Sequence, residues 1–225
     1  MVASGKAPAA LRYVTGMAEL VKAGNAPMVY VLAAHPHWRD SRVNRRLLDA
    51  ARATPDVDAH DLYGSYADYD IDVPAEQARA AAAQLIVLLH PIQWYSMPAL
   101  LKLWLDQVLT YGWAYGRGGT ALRGKDLWLV ASTGGPEHSY HPGSYNRYFF
   151  DAFLPPYEQT AALCGMRFLP PLLLHGAHRA TDAEVEAHVQ VFRERLASYP
   201  RWPELEGMAE CPACDVPVSD RPEAH

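Results

Sequence analysis

Three loops of this chain carry residues that could bind a ligand. The first spans residues 35–44, where Ser41 and Asn44 stand beside His35 and Arg42 at the start of a helical pattern. Hydroxyl, amide and backbone N–H donors at a helix start suit an anion. The loop contains neither G-x-G-x-x-G nor G-K-S/T, which excludes a Rossmann dinucleotide turn and a P-loop. It predicts a site for a phosphate monoester, the alternative being a plain helix with Ser41 as its N-cap.

The second loop is aromatic and spans residues 90–98. Trp94 and Tyr95 follow a strongly apolar run and lie between Pro91 and Pro98. Aromatic rings offer a flat stacking surface at low entropic cost, so this loop predicts one wall of a pocket for a flat ligand. The alternative is ordinary filling of the core.

The third loop is rich in glycine and spans residues 132–140. Gly134 and Gly135 let the backbone approach a ligand closely, and Thr133 offers a hydroxyl to a polar ring edge. The alternative is a glycine-rich turn beside a solvated histidine. Together the three loops supply a phosphate end, an aromatic wall and a polar edge, which suit a flavin mononucleotide.

The elements that position these loops alternate between strands and helices. Apolar runs predict strands at 29–34, 57–62, 84–89, 125–132 and 166–175. Helical patterns fall at 43–53, 74–83, 98–109 and 182–197, and a further helix at 147–164 is expected to be interrupted near Pro155 and Pro156. Thr181 and Glu184 form a capping box for the last helix. Such alternation predicts one α/β domain, a five-stranded parallel sheet with helices on both faces, whose ligands bind beyond the carboxyl ends of the strands. Pro170 and Pro171 predict that the fifth strand is short or lies at an edge.

Composition limits the classes of function. The formal net charge is −5, so the chain lacks the basic footprint of a nucleic-acid-binding protein. Three cysteines make no disulfide framework and favour a reducing compartment. No apolar run reaches the roughly 20 residues of a membrane span, and no signal peptide is expected, so we expect a cytoplasmic protein.

The chain divides into three parts on this interpretation. Residues 1–27 form an N-terminal extension rich in alanine and glycine, residues 28–199 the ligand-binding domain, and residues 200–225 a proline-rich C-terminal tail. The tail holds Cys211 and Cys214 in a C-x-x-C pair. A zinc site needs four ligands, and we interpret this pair as incidental and expect no metal.

Several motifs give the chain a resemblance to a known family. The most specific block is His90-Pro91-Ile92-Gln93-Trp94-Tyr95-Ser96, continued by Leu100-Leu101-Lys102-Leu103-Trp104-Leu105-Asp106; further matches are Ala34-His35-Pro36 with Ser41 and Asn44, Glu76-Gln77, Gly112-Trp113-Ala114-Tyr115-Gly116, Thr133-Gly134-Gly135 and Asn146-Arg147-Tyr148. On these motifs the chain resembles the flavodoxin-like NAD(P)H:quinone oxidoreductases. Within them it is most similar to the ancillary flavoproteins of glutathione-gated potassium-efflux systems.

The resemblance implies a bound cofactor and a reaction. The expected cofactor is FMN, with FAD as the second choice, and the expected reaction is two-electron transfer from NAD(P)H through the flavin to a quinone. It also implies a homodimer with the active site near the subunit interface. An apolar stripe on the helix at 98–109 is wide enough for such an interface, although core burial would also explain it. The alternative function is a flavin-binding regulatory subunit that activates a membrane potassium–proton antiporter.

The resemblance also implies roles for individual residues. The phosphate end takes His35, Ser41, Val43 and Asn44, the isoalloxazine wall takes Pro91, Ile92, Gln93, Trp94 and Tyr95, and the polar edge takes Thr133, Gly134 and Gly135. Tyr140 matches a tyrosine that lies near the reduced edge of the flavin in the animal quinone reductases. Those enzymes have a histidine six residues further on, where this chain has Asn146. His138 and His141 both lie close by, and the catalytic pair is expected to be Tyr140 and His141.

Overall fold

The strands lie in the order that a doubly wound fold requires. The computed structural model describes residues 28–208, and its sheet has the order β2-β1-β3-β4-β5 with all strands parallel. The strands are β1 (Val29–Ala33), β2 (Val57–Asp61), β3 (Leu85–Pro91), β4 (Asp126–Ser132) and β5 (Arg167–Leu174). This order confirms the predicted flavodoxin-like α/β fold, in which the direction of winding reverses between β1 and β3.

Helices cover both faces of the sheet. They are α1 (Val43–Arg52), α2 (Leu62–Ser65), α3 (Val73–Ala82), α4 (Ala99–Val108), α5 (Pro155–Leu163) and α6 (Asp182–Ser198). One core layer packs the sheet against α1 and α6, and the other packs it against α3, α4 and α5. The predicted capping box at the start of α6 is present, with the Glu184 N–H donating to the Thr181 hydroxyl at 3.2 Å.

Strand β1 is continuously apolar because both of its faces are covered. Tyr30 and Leu32 point into the core layer of α3 and α4, whereas Val29, Val31 and Ala33 point into the layer of α1 and α6. Every residue of the strand is buried. A strand covered on both faces needs apolar side chains at consecutive positions, so it lacks the alternation of a half-exposed strand.

The structure corrects the helix predicted at residues 147–164. Only α5 is an α-helix there, preceded by a single 3₁₀ turn at Phe150–Phe153. Arg147 has a φ of 62°, which a right-handed helix does not allow. Pro155 and Pro156 occupy the first turn of α5, where the missing N–H groups cost no hydrogen bond.

Strand β5 lies at the sheet edge, as its two prolines predicted, but it is not short. It has eight residues, and its pairing with β4 shifts register between Trp128 and Val130. This irregularity absorbs Pro170 and Pro171, because the strand bends out of the ladder where they cannot donate. The Trp128 indole N–H donates to the Pro170 carbonyl at 3.0 Å and secures the irregular segment.

The apolar stripe on α4 is largely explained by the core. Leu100, Leu101, Trp104 and Val108 are buried there. Packing also continues past residue 199, because Trp202 is buried against Trp128 with ring centroids 4.9 Å apart. None of the helices between residues 28 and 208 is long and apolar enough to cross a membrane. The predicted extension at 1–27 and the Cys211/Cys214 pair lie outside the described residues.

Candidate active site

A cavity of about 460 Å³ opens at the carboxyl ends of the strands. Four loops line it, those that follow β1, β3, β4 and β5, and it lies where the winding of the sheet reverses. The structure therefore brings the three loops singled out by the sequence to one place. It adds a fourth, through Ala177 and His178.

The loop after β1 presents polar atoms that the protein leaves unpaired. The Ser41 hydroxyl and the Asn44 side-chain oxygen are buried and have no hydrogen-bond partner within the described chain. Ser41 is not the N-cap of α1, since Arg42 takes that position and no side chain caps the helix. The Asn44 amide donates to the Ser132 hydroxyl at 2.9 Å, which ties the loop to β4.

The orphaned Ser41 hydroxyl fits a phosphate group, whereas the Asn44 oxygen only accepts and suits a donor group of the ligand. A buried hydroxyl without a partner costs free energy that a ligand accepting its proton would recover. The first N–H groups of α1 have no intrahelical acceptor, and the first turn of α1 contains no acidic side chain. The predicted phosphate residues Ser41, Val43 and Asn44 all line the cavity, as does His35.

Charged and ionisable groups around this end of the cavity are partly neutralised. Arg42 and Arg46 share the carboxylate of Asp182, each at 3.2 Å. Burial lowers the pKa of His35, and the nearby His37 lowers it further. The His35 Nδ1 accepts from the His37 N–H at 3.0 Å, so Nε2 carries the proton and is the donor.

The aromatic loop after β3 ends in a tight two-residue turn. Gln93 and Ser96 exchange backbone hydrogen bonds of 2.9 and 3.0 Å. Trp94 and Tyr95 between them have φ values of 47° and 65°. Two left-handed central residues are the pattern of a type I′ turn, which normally selects Asn and Gly.

This turn divides the predicted aromatic wall into two parts. Pro91, Ile92 and Gln93 line the cavity. Trp94 is 94% exposed and Tyr95 46% exposed, and neither is part of the lining. The Tyr95 ring stacks on Phe153 at 5.2 Å, so the turn stands beside the cavity as an aromatic rim.

The glycine-rich loop after β4 has little room for side chains. A Cβ at Gly135 would lie 2.7 Å from the Ser139 hydroxyl, so a larger residue there would have to displace the Ser139 side chain. Thr133 and Gly134 line the cavity, whereas Gly135 lies behind them. The Thr133 hydroxyl is 2.7 Å from the Gly135 carbonyl and 3.0 Å from the His175 Nδ1.

Tyr140 and His141, the predicted catalytic pair, occupy different surroundings. Tyr140 is buried, its ring packs 5.3 Å from those of Phe150 and His175, and burial raises its pKa. His141 is exposed, and its Nδ1 accepts from the Gly143 N–H at 3.1 Å. Neither residue is part of the cavity lining.

No role at the site was predicted for the loop after β5, and His175 was interpreted as a core or surface histidine. His175 contacts Thr133, and His178 lies over Gly134, where a Cβ would be 3.3 Å from its Nε2. The signal was present, because every loop that follows a parallel strand reaches the ligand edge of the sheet. The loop has no glycine pair or aromatic run, so composition alone did not mark it.

Comparisons with known proteins agree with this geometry. A family model described as a flavodoxin-like fold matches residues 27–196. The glutathione-regulated potassium-efflux system ancillary protein KefF of Citrobacter koseri is 44% identical over 172 residues, 76% of this chain and 97% of that protein.

Two solved structures are also similar. General stress protein 14 of Treponema denticola, in complex with FMN, is 36% identical with a TM-score of 0.72 and covers 76% of this chain and 99% of its own. An NADPH-quinone reductase from P. pentosaceus is 28% identical with a TM-score of 0.67, and the alignment covers 74% of this chain and 96% of the reductase. The chain therefore belongs to the flavodoxin-like family that its motifs resemble, with KefF proteins among its relatives.

Proposed function

We propose that this protein is a flavin-dependent NAD(P)H:quinone oxidoreductase that binds FMN in the cavity at the carboxyl edge of β1, β3 and β4. One observation carries the proposal. The buried Ser41 hydroxyl has no partner within the described residues, at the point of the sheet where this fold binds a flavin phosphate. The FMN named for the similar Treponema protein supports the choice of FMN over FAD.

Each part of the cavity would hold one part of the cofactor. Ser41, Asn44 and the start of α1 would bind the phosphate, with His35 beside it. Pro91, Ile92 and Gln93 would face the isoalloxazine ring, and Trp94 and Tyr95 would extend that wall at the rim. Thr133, Gly134 and Gly135 would form the polar edge that faces the ring's heteroatoms.

The protein's own chemistry is positioning and proton control. When bound, the flavin supplies hydride transfer, taking two electrons and a proton from NAD(P)H and passing them to the acceptor. In this proposal the backbone N–H groups of the glycine loop would face the polar edge, where negative charge would develop on the reduced ring. Tyr140, which contacts Thr133, would donate a hydrogen bond to the acceptor's oxygen in the proposed reaction. His141 stays a predicted second catalytic residue.

The exposed aromatic rim supports a homodimer. Trp94, Tyr95, Tyr145, Tyr148 and Phe149 are all at least 46% exposed. A cluster of exposed rings beside a cavity is typical of a covered surface, and we propose that a second copy of the chain covers it. The rim would then close the site against water while donor and acceptor bind in turn.

A regulatory role is the second candidate. The aligned region spans 97% of the length of the Citrobacter koseri KefF protein. That protein is named as an ancillary protein of a potassium-efflux system. On this alternative the chain binds flavin chiefly to activate a membrane potassium–proton antiporter, from the cytoplasm and at the inner face of the membrane. The exposed rings at residues 145–149 are the surface for such contact.

Steady-state kinetics with NAD(P)H and a benzoquinone test the enzyme proposal. One flat site above the flavin must serve donor and acceptor in turn, so initial-rate plots should be parallel. Intersecting plots would contradict a single shared site. A flavin-loaded protein with no quinone turnover would favour the regulatory role.

A further inference from the structure

The lining of the cavity carries one fixed cation and one fixed anion. Among the described residues that line it, Arg42 has the only guanidinium or ammonium group and Asp40 the only carboxylate. These two charges offset each other, so the lining has no surplus of fixed positive charge for an anion. A phosphate, with about −1.5 to −2 charges, gains from Arg42 only if the guanidinium contacts it directly.

The guanidinium of Arg42 is paired with a carboxylate of another helix. Its Nη2 donates to the Asp182 Oδ1 at 3.2 Å, and the Nη2 of Arg46 donates to the same oxygen at 3.2 Å. Arg42 and Arg46 are four residues apart and share one face at the start of α1, whereas Asp182 begins α6. Two guanidinium groups therefore share one carboxylate, with one positive charge in excess.

Release of one arginine from this arrangement costs little free energy. The side chains of Arg42 and Arg46 are each 41% exposed, and that of Asp182 is 77% exposed. Ion pairs this exposed add little to stability, because water screens both charges. Like charges four residues apart on a helix also repel each other. If Arg42 leaves, Arg46 still pairs with Asp182.

We propose, building on the proposed flavin site, that Arg42 exchanges Asp182 for the phosphate of the cofactor, and that Asp182 limits the affinity for FMN by competing for this guanidinium. Arg42, unlike Arg46, lines the cavity, and it directly follows Ser41 with its orphaned hydroxyl. A guanidinium can donate two parallel hydrogen bonds to a phosphate, whose charge exceeds that of a carboxylate. Arg46 remains on Asp182, so the exchange leaves neither the arginines nor the carboxylate unpaired.

The exchange depends on the phosphate and not on the ring of the flavin. Riboflavin lacks the phosphate, so Arg42 has no reason to leave Asp182 when riboflavin binds. The affinity for FMN should therefore depend on both residues, and the affinity for riboflavin on neither. A purely structural role of the pair would change both affinities together.

The first test is titration of the apoprotein with FMN and with riboflavin. Arg42→Gln should weaken FMN binding by about five- to tenfold and leave riboflavin binding unchanged. Arg45→Gln is the matched control, because it removes the same charge from an exposed position of α1 outside the cavity lining. Unchanged FMN affinity in Arg42→Gln, or an equal loss in Arg45→Gln, would overturn the proposal.

A double variant tests whether Asp182 acts by competition. In the wild type, Asp182→Asn should strengthen FMN binding by about threefold or more, because Arg42 then has no carboxylate to leave. In Arg42→Gln the same change should have little effect, since at about 0.15 M salt the field of an exposed carboxylate is strongly screened. No strengthening in the wild type, or equal strengthening in both backgrounds, would overturn the proposal.

These titrations also separate this inference from the proposed function. If the wild-type apoprotein binds FMN no better than riboflavin, or binds neither, the phosphate site is wrong and both proposals fail. If the wild type prefers FMN but Arg42→Gln keeps the full preference, the proposed function stands and the exchange at Arg42 is overturned.

Discussion

At the scale of single residues, the charge beside the phosphate end decides whether an anion can bind. Asn44→Asp keeps the size of the side chain but removes the amide donor to Ser132 and adds a carboxylate. A phosphate carries about −1.5 to −2 charges, so FMN affinity should fall by about tenfold or more. Titration of the apoprotein with FMN measures this.

Gln107→Glu is the matched control for that variant. It makes the same change in charge on the exposed face of α4 and should leave FMN affinity unchanged. Equal affinities of Asn44→Asp and the wild type would place the phosphate elsewhere.

Glu76 is a buried carboxylate that stabilises the fold away from the site. Its two oxygens accept from the Tyr30 hydroxyl at 2.5 Å, the Trp104 indole at 2.8 Å and the Tyr66 hydroxyl at 2.8 Å. Burial raises its pKa, but hydrogen bonds from His60, Tyr30 and Trp104 outweigh burial and bring the pKa to about 2. Glu76→Gln places an amide donor against these donors and should lower the free energy of unfolding by about 3 kcal/mol.

The sign of the pH dependence follows from this low pKa. The stability from the Glu76 carboxylate is present above its ordinary pKa of 4.5 and is lost as the pH falls towards about 2. Urea denaturation should therefore separate wild type and Glu76→Gln at neutral pH and bring them together in acid. Glu186→Gln, at an exposed position of α6, is the control and should change stability little. A difference that persists undiminished in acid would contradict the pairing.

The types of the site residues were predictable, and some of their conformations were not. Ser41, Asn44 and Thr133 follow strands, so the rule for parallel sheets places them at the ligand edge. His175 and His178 obey the same rule but stand in a loop without distinctive composition. The exposed position of His141 was not predictable from its place beside Tyr140, because Tyr140 is buried and the next residue is not.

At the scale of elements, the turn after β3 combines a strained backbone with a proposed role as the aromatic rim of the site. Trp94 has a φ of 47° and is 94% exposed, so its indole gains little packing in return for a left-handed backbone. Trp94→Asn should raise the free energy of unfolding by about 1 kcal/mol, because asparagine tolerates this conformation. The same change should lower quinone turnover, since it removes part of the aromatic rim.

Trp94→Phe separates the effect on stability from the effect on quinone turnover. It keeps both the strain and an aromatic ring, so its stability should match the wild type in thermal denaturation. Loss of stability in Trp94→Asn would mean that the indole packs in a way the exposed conformation does not show.

Most element boundaries followed from the sequence, and the exceptions have local causes. Two-sided burial made β1, β3 and β4 readable as unbroken apolar runs. The helix predicted at 147–164 failed because positive φ at Arg147 cannot be inferred from residue type. The strand predicted at 166–175 is confirmed as the edge strand β5, in which a register shift that the sequence does not show accommodates Pro170 and Pro171.

At the scale of the whole molecule, the aromatic surface at residues 145–149 distinguishes enzyme from regulator. Tyr145 and Tyr148 are 69% and 61% exposed, whereas Phe150 is buried against Tyr140. Replacing both tyrosines with serine should lower quinone turnover if this surface roofs the site as proposed, and should weaken the proposed homodimer in light scattering. The fold should survive, because neither side chain belongs to the core.

The same double variant tests the regulatory alternative. Intact turnover with lost co-purification of a coexpressed antiporter would favour a regulatory surface. If turnover, dimerisation and association all stay unchanged, the surface has neither role and the proposal for it is wrong.

The central claim is that the cavity at the reversal of the sheet binds a flavin through its phosphate. Its most direct test compares the affinities of the apoprotein for FMN and for riboflavin, which lacks only the phosphate. Charge-assisted hydrogen bonds from Ser41 and the start of α1 are worth about 1.5–3 kcal/mol each, so FMN should bind at least about a hundredfold more tightly. Equal affinities for the two flavins, or no binding of either, would contradict the account.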